Sequence, residues 1–495
     1  MKRIKFLSIF AVLFLGVLLL TACGDDAEPQ ANNDAPATTA AADAPDAPDA
    51  TIGIDNELLQ VETALPPMTT EEITLTFMSW ENYYLQQHLA QRFMERHPNI
   101  TVEVLYHPLY GFNETLFNLA GAGNLPDVFW YLGNITVPLE NQWLGDFSEF
   151  FNADPDSAYM PASLYYAGTL GNLRVAAPSK VLPFAFYLDR SVFERANVPM
   201  PPLDWTWSQM LDTAREMTIP EQQIFGMYKF TQFHTTGPIV NQDAIGEFGW
   251  NGETFDFSGF ADAIELEQEF RRTGVFAPPV GDAREAAFGI YNIWPASTGQ
   301  IAMQKDAIWT ANYFSTDAFT DRGIEWVIYP MPRGDNAVTD NKPAFIDFGG
   351  MSSVTEHPRE AYELLKWMGW GFEGWQARIE GYAMLTNSLG EMLFPVTPDA
   401  IPILQHPELW EAYRALVPNT PEWNSFLDSV QSPVPLGASY IPGFEAFINW
   451  MHEQDIFGQL YRAEVRPHDI QDHITENANR FVQEEIERML QRYGQ

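Results

Sequence analysis

The sequence predicts an α/β fold built on a mainly parallel sheet. Apolar segments rich in β-branched and aromatic residues alternate with segments of helical period over residues 73–131. A strand–helix–strand–helix–strand order in about 60 residues is typical of a βαβαβ unit with parallel strands. Hydrophobic residues make up 46% of the 495-residue chain and aromatic residues 14%, which is enough for a large core.

The βαβαβ unit follows from the local patterns in order. Leu85, Leu89 and Phe93 recur at four-residue spacing on one helical face, and Pro98 ends that helix. The unit comprises predicted strands over 73–78, 100–105 and 127–131 and predicted helices over 83–96 and 114–120.

The third strand of this unit carries candidate ligand contacts. Asp127 opens the strand, and Trp130 and Tyr131 close it. Open parallel sheets bind ligands outside the carboxyl ends of their strands, and the first strand ends at Trp80. We therefore expect Trp130 and Tyr131, together with Trp80, to face a cleft in which flat rings stack on a flat ligand. The alternative is that Trp130 and Tyr131 belong to the core, as aromatic residues commonly do.

Later segments continue the α/β pattern. Residues 300–310 predict either strand–turn–strand or strand–helix, with Trp309 at the end, and Gly349-Gly350 predicts a turn or a close backbone approach. The other predicted elements are strands over 181–188 and 326–332 and helices over 191–196, 208–217 and 469–490, with one more helix beginning at Pro358.

The charge balance restricts the ligand and the partners. Sixty-six acidic residues against 27 basic ones give a formal net charge of −39. This excludes a nucleic-acid partner and disfavours polyanionic ligands, whereas neutral or cationic ligands fit. The nine histidines are scattered, and we expect no metal site and no cofactor. No catalytic motif occurs, so we do not expect an enzyme.

The N-terminal region predicts export and lipid anchoring. Lys2, Arg3 and Lys5 precede an apolar run that ends in Leu20-Thr21-Ala22-Cys23, which resembles the bacterial lipobox. The resemblance implies a lipoprotein signal peptide over 1–22 and a lipidated Cys23, the only cysteine. Residues 23–72, rich in Ala, Pro and Asp, are predicted to be a flexible acidic tether.

Four stretches occur in an order that is typical of one protein family: 73–98, 125–130, 187–199 and 300–309. Through these stretches the chain resembles the extracytoplasmic solute-binding proteins of carbohydrate ABC importers, the family that includes maltose-binding protein. The resemblance implies a two-lobed periplasmic-binding-protein-like fold, in which each lobe is a mainly parallel sheet flanked by helices and hinge strands cross between the lobes. One lobe would hold 73–182 plus 346–430, and the other 183–345 plus 431–495.

The resemblance also implies a function. The protein would be a monomer on the extracytoplasmic face of the bacterial cell membrane, anchored through Cys23, delivering a sugar or oligosaccharide to an ABC-transporter permease. Aromatic rings would cover the apolar face of a sugar ring, while carboxylates and amides bind its hydroxyls. The predicted ligand-binding residues are Trp80, Glu81, Asn82, Asp127, Trp130, Tyr187, Trp309, Asn312, Tyr313, Gly349 and Gly350.

Two alternatives remain open from the residues alone. The acidic balance also suits a binder of peptides or of cationic small solutes for an ABC importer. A secreted glycoside hydrolase would also combine aromatic residues with a pair of carboxylates, which must lie about 5–10 Å apart.

Overall fold

The computed structural model describes residues 65–131, 133, 135–228, 233–278, 281–291, 293–384, 398–437 and 440–494. The predicted signal peptide, Cys23 and almost all of the predicted tether lie outside these residues. None of the helices in the described part combines the length and the apolar character needed to cross a membrane.

The strands form one large sheet and a small hairpin. The main sheet has the order β2-β1-β3-β10-β6-β8-β7, with β11 paired to β10 and β9 paired to β6, while β4 and β5 pair with each other. The strands are β1 (Ile73–Ser79), β2 (Ile100–Tyr106), β3 (Val128–Tyr131), β4 (Thr169–Leu170), β5 (Leu173–Arg174), β6 (Ala177–Asp189), β7 (Phe225–Tyr228), β8 (Ile301–Ala307), β9 (Trp326–Tyr329), β10 (Lys342–Met351) and β11 (Pro433–Pro435).

The helices cover both faces of this sheet. They are α1 (Tyr83–Arg96), α2 (Phe112–Gly121), α3 (Thr136–Glu140), α4 (Ser148–Ala153), α5 (Ala162–Tyr165), α6 (Arg190–Ala196), α7 (Trp207–Glu216), α8 (Phe233–Asn241), α9 (Phe260–Arg272), α10 (Asp282–Phe288), α11 (Thr310–Phe314), α12 (Asp317–Thr320), α13 (Pro358–Met368), α14 (Phe372–Met384), α15 (Pro407–Arg414), α16 (Pro421–Ser429), α17 (Phe444–Glu453), α18 (Ile456–Tyr461) and α19 (Pro467–Arg492).

The predicted βαβαβ unit is confirmed. β1 runs parallel to both β2 and β3, with Phe77 opposite Val104 and Val128. The first helix has the predicted bounds, because Asn82 caps its start: its side-chain oxygen accepts hydrogen bonds from the backbone amides of Tyr84 and Leu85. The three strands therefore end at the same edge, as parallel strands must.

Two strands, β6 and β10, join this parallel unit to the rest of the sheet. β10 lies antiparallel to both β3 and β6, and β6 continues as the antiparallel neighbour of β8 and β9. β6 is longer than predicted, because it begins at Ala177. Residues 300–310 follow the strand–helix alternative: β8 continues to Ala307, and α11 begins at Thr310, directly after Trp309.

Three buried hydrophobic clusters hold the layers together. The first packs α1 and α13 against one face of β1 and β3, and the second packs α2, α17 and α19 against the opposite face. The third surrounds β7 and β8 with residues of α7 and α8. The second cluster joins β1 and β3 to α9, α17 and α19, which the predicted boundaries assign to different lobes. The lobe boundaries stay a prediction.

Candidate functional site

The directions of the strands define where a ligand is expected to bind. The carboxyl ends of β1 and β3 lie beside the part of β10 that precedes Phe348, since Tyr131 at the end of β3 pairs with Phe348. From the other side, β8 ends at Ala307, which pairs with Phe184 of β6. Two groups of parallel strands thus end on either side of the same stretch of β6 and β10. Ligands of α/β proteins bind at such positions outside the carboxyl ends. We call the stretch formed by residues 180–182 and 345–347 the floor.

The floor presents aromatic and charged side chains on one face. Asp347 pairs with Lys180, and Phe345 pairs with Leu182. Residues opposite each other in a sheet point to the same side, and so do residues two apart on one strand. These four side chains therefore share one face, on which Phe345 is 38% exposed.

An aromatic pair adjoins the floor. The indole ring of Trp309 stacks on Phe345 with centroids 5.7 Å apart and planes inclined by 11°. Phe345 in turn contacts the ring of Phe184 at 4.7 Å, and the Lys305 ammonium lies 4.1 Å from the Phe184 centroid. Trp309, Phe345 and Phe184 thus form one contiguous aromatic cluster, in which Phe345 and Trp309 are partly exposed and Phe184 is buried.

An ionic network closes the other end of the floor. Both terminal nitrogens of Arg378, on α14, donate to Glu81 Oε2 at 3.2 Å, and the two side chains are almost completely buried. Lys180 Nζ donates to Asp399 Oδ2 at 2.7 Å and lies 3.9 Å from Glu81 Oε1. Tyr382 OH donates to the other Asp399 oxygen at 3.0 Å. The network ties the loop after β1 to β6, to α14 and to the segment before α15.

Burial and neighbouring charges change the acidity of this network. Burial raises the pKa of Asp347 from 3.8 to about 7, with Lys180 opposing and Glu81 and Asp399 adding to the increase. Burial alone would lower the pKa of Lys180, but Asp399, Glu81 and Asp347 raise it above its ordinary value. Lys180 therefore stays protonated near neutral pH, while Asp347 titrates there.

The raised pKa of Asp347 predicts a pH-dependent stability. Its folded-state pKa exceeds the unfolded value, so the folded state binds the proton more tightly and loses stability as the pH rises from about 4 to about 7. We expect Asp347→Asn to stabilise the ligand-free protein at pH 8 by about 1–2 kcal/mol, after allowance for partial solvent exposure. The difference should vanish toward pH 4. Thermal unfolding of both proteins across this range checks it, and an equal difference at both ends would contradict it.

Trp80 and Glu81 lie where the sequence predicts, at the carboxyl end of β1. Trp80 is half-buried and contacts the ring of Phe112 edge-on, with centroids 4.9 Å apart. Glu81 is buried in its ion pair with Arg378. Asn82 is exposed, and its side-chain oxygen serves as the N-cap of α1. These three residues remain predicted ligand contacts.

The structure corrects the expectations for Trp130 and Asp127. Trp130 is fully buried, contacts Phe77 edge-on at 4.8 Å, and belongs to the core cluster beneath α1 and α13. Side chains alternate along a strand, so its ring points into that core while Tyr131 points to the opposite face. No face of the Trp130 ring is accessible to a ligand, so the alternative that Trp130 belongs to the core is the correct one.

Asp127 precedes β3 and therefore lies at the amino ends of the parallel strands, whereas the floor lies beyond their carboxyl ends. Its Oδ2 accepts hydrogen bonds from the backbone amide and the hydroxyl of Thr76, both at 2.8 Å. Its Oδ1 accepts one from the Thr355 hydroxyl at 2.7 Å. The carboxylate therefore joins neighbouring segments of the fold, and the structure does not bring it to the candidate site.

The remaining predicted side chains lie on or near β8 and α11. The expectation for Tyr187 is also corrected: it is buried in the first core cluster, and its hydroxyl donates to the backbone oxygen of Ala307 at 3.1 Å, so it supports the end of β8 and is not open to a ligand. Asn312 is half-buried on α11. Tyr313 is 54% exposed and contacts Trp294 edge-on. Trp309, Asn312 and Tyr313 remain predicted ligand contacts.

Gly349 and Gly350 do not form the predicted turn, because both lie inside β10 opposite Trp130 and Phe129. The predicted close approach is present instead. A Cβ atom on Gly349 would collide with the six-membered ring of Trp130, and one on Gly350 would collide with Leu144. Both glycines are buried and admit core side chains against the strand, so neither is exposed to a ligand.

This contact predicts that Gly349→Ala destabilises the protein. Overpacking of a filled core costs about 1–3 kcal/mol, and the Trp130 indole is too confined to move away. Gly121→Ala is the matched control, because nothing lies within 4 Å of a Cβ at that position. Urea denaturation measures both variants. A Gly349→Ala protein as stable as the parent would show that the Trp130 ring can move.

The sequence patterns did not identify five residues of the floor and its network as candidate site residues: Lys180, Phe345, Asp347, Arg378 and Asp399. Two of them could have been recognised, because Lys180 and Asp347 are single charges within apolar strand segments. Charged residues are rarely buried unless they are paired or functional. Arg378 and Asp399 carry no such signal, since only the packing of α14 brings them to the floor.

Several solved structures share this fold. An ABC substrate-binding protein from Listeria monocytogenes in complex with cycloalternan is similar with a TM-score of 0.58 and 16% identity, over 83% of this chain and 99% of that one. A sugar transporter protein from Rhizobium etli, in an open conformation, gives 0.59 and 15% identity over 82% and 98%. A cyclic α-maltosyl-1,6-maltose binding protein from Arthrobacter globiformis gives 0.58 and 14% over 83% and 98%.

These similarities confirm the predicted α/β fold class of the solute-binding proteins. No curated protein matches the chain. The sequence profile of the family described as "Bacterial extracellular solute-binding protein" matches residues 79–369, which is more than half of the chain. That family comprises binding proteins, so the glycoside hydrolase hypothesis is set aside. The chain belongs to the bacterial extracellular solute-binding protein family.

Proposed function

We propose that this protein captures a sugar or an oligosaccharide at the floor and delivers it to the permease of an ABC importer. The observation that carries the proposal is the stacked pair of Trp309 and Phe345 beside the ionic network, at the point where both groups of parallel strands end. Structures with the same fold include proteins described with cycloalternan and with a cyclic maltosyl-maltose.

The two halves of the site suit the two kinds of surface on a sugar. A pyranose ring has an apolar face of C–H groups, which an indole or phenyl ring can cover. Its rim of hydroxyls both donates and accepts hydrogen bonds. Asp347 and Asp399 supply acceptors at one end of the floor, and Lys180 supplies a donor. Charge-assisted hydrogen bonds of this kind are about twice as strong as neutral ones.

Capture would involve closure of two lobes about β6 and β10. Under the predicted boundaries, Glu81 belongs to one lobe and Trp309 to the other, while the floor lies on the crossing strands. A ligand that touches both lobes favours the closed state by its higher affinity for that state. Residues outside the floor, including Trp80, Asn82, Asn312 and Tyr313, would then complete the enclosure.

A thermal-shift screen tests the proposed function. Neutral oligosaccharides, peptides and small amines would be compared at a hundredfold excess over their dissociation constants, where a true ligand adds about 2.7 kcal/mol of stability. We expect stabilisation by at least one saccharide. Stabilisation by peptides alone, with no response to any saccharide, would replace this proposal with the peptide-binding alternative.

We also propose that lipidated Cys23 holds the monomeric protein at the extracytoplasmic face of the membrane. The acidic tether would separate the folded part from the bilayer, but only up to about residue 64. The predicted end of the tether at residue 72 is corrected, because Leu65 and Met68 pack against the first core cluster and Arg359 donates a hydrogen bond to the backbone oxygen of Pro66. Acyl chains contribute about 0.8 kcal/mol per buried CH₂, so two or more chains provide stable anchoring.

The anchor predicts that Cys23→Ser moves the protein from the membrane fraction to the soluble fraction of exported protein. Incorporation of labelled palmitate into the parent and its loss in the variant would be the direct readout. The thiol is the acceptor of the lipid, and a serine hydroxyl does not replace it. Ser8→Ala, within the apolar run, is the control and should leave labelling unchanged. Equal labelling of the parent and Cys23→Ser would refute the anchor.

A further inference from the structure

One carboxylate of the floor lacks a hydrogen-bond donor. No described group donates to the side chain of Asp347, although it lies opposite Lys180 on the neighbouring strand. The side chain is only half-buried, on the same face as Phe345. Carboxylates at such positions are ordinarily satisfied by donors, by cations or by water.

The other acids of the network already have their partners. Arg378 donates twice to Glu81, while Lys180 and Tyr382 donate to Asp399. Among the residues that the structure describes, three carboxylates of the network thus face two cations, which leaves one negative charge unmatched when Asp347 is ionised. A second sign of an incomplete network is Glu81 Oε1, which is buried without a hydrogen-bond partner.

Neutral and cationic ligands would affect this surplus charge differently. A sugar hydroxyl donates a hydrogen bond to a carboxylate but leaves its charge in place. A ligand that also excludes water would then bury an uncompensated charge, which is costly. An ammonium group donates a hydrogen bond to the carboxylate and also neutralises its charge. In addition, the net charge of −39 on the chain attracts cations from a distance.

We infer that Asp347 binds a protonated amino group and that the ligand is an amino sugar or an oligosaccharide of amino sugars. The inference rests on the proposed function, since it places the sugar ring on the aromatic pair. Phe345 and Asp347 are two residues apart on one face of β10, a separation of about 7 Å. A pyranose on the Phe345 and Trp309 rings would therefore carry a ring substituent to the Asp347 carboxylate.

Three matched trisaccharides test the inference by isothermal titration calorimetry at pH 7.0 and low salt. They are β-1,4-linked glucosamine, its N-acetylated form and the all-hydroxyl glucose form, which differ only at C2 of each ring. We expect the glucosamine trisaccharide to bind roughly ten-fold or more tightly than either neutral form. Replacement of the ammonium by a hydroxyl or an acetamide removes the charge and keeps the ring.

The Asp347→Asn variant assigns that preference to this residue. We expect it to lose about ten-fold or more of its affinity for the glucosamine trisaccharide and a clearly smaller factor for any neutral form that binds, so that the preference for the charged form disappears. Its thermal unfolding establishes that it is folded. Asp212→Asn, on α7, is the matched control: its side chain is 79% exposed, and it removes the same charge away from the floor.

The outcomes separate this inference from the proposed function. Equal affinity for the three trisaccharides, or an equal loss with all three in Asp347→Asn, would overturn the amino-sugar inference and leave saccharide binding intact. Absence of binding by all three at millimolar concentration would also overturn it, while another sugar that stabilises the protein would uphold the function. Binding of putrescine with no response to any saccharide would overturn both.

Discussion

Trp309→Ala is expected to abolish the stabilisation of this protein by its ligand without unfolding it. The indole lies directly after β8, half-buried, with one face on Phe345. Its removal takes away both apolar area and ring stacking, and an aromatic pair alone contributes about 0.5–1.5 kcal/mol beyond area burial. Together these losses correspond to roughly a hundredfold or greater loss of affinity.

The measurement for Trp309→Ala is a thermal-shift titration with the ligand that stabilises the parent protein. Trp309→Phe is the matched variant, because it keeps an aromatic face and should recover much of the affinity. The unliganded unfolding midpoint of each variant establishes that it is folded. If Trp309→Ala responded to ligand as the parent does, the aromatic pair would not belong to the binding site.

Arg378→Met is expected to destabilise the ligand-free protein by about 3–5 kcal/mol. Methionine has a similar length and fills the space between α14 and the loop after β1. It leaves Glu81 buried without the guanidinium that now donates to it twice, and the backbone oxygen of Met368 loses a 2.8 Å hydrogen bond. An unpaired buried charge costs far more than the pair contributes.

A double-mutant cycle separates the ion pair from the packing around it. Glu81→Gln combined with Arg378→Met should be less destabilising than the sum of the single variants, since the charge left unpaired in each is absent in both. Arg480→Met is the matched control, because Arg480 and Glu484 form an exposed pair on α19. Strictly additive urea-denaturation free energies would show that Glu81 and Arg378 are not coupled.

The βαβαβ unit and the helix α1 illustrate what local patterns predict well. Leu85, Leu89 and Phe93 are all buried, as their four-residue spacing predicts, and α1 has the predicted bounds. Periodicity reports which face of an element is apolar, and an apolar face must be covered. It does not report what covers that face.

Local patterns did not predict the positions of Trp130 and Asp127 correctly. An aromatic residue at a strand end and an acid at its start suit both a binding site and a core, and one sequence does not separate the two. Side chains alternate between the two faces of β3, and this alternation places the Trp130 ring in the core beneath α1 and α13. The hydroxyls of Thr76 and Thr355 donate hydrogen bonds to the Asp127 carboxylate and hold it within the fold. Gly349 belongs to the same packing arrangement, since it admits the Trp130 ring.

By itself the sequence determined the α/β class and the order of the elements, because periodicity is a property of the chain alone. Only the tertiary structure decided which charges meet at the floor. Glu81, Lys180, Arg378 and Asp399 are separated by up to 318 positions and come within hydrogen-bonding or ion-pairing distance through strand pairing and helix packing. Contacts between residues so far apart depend on how layers pack, and no local pattern encodes that geometry.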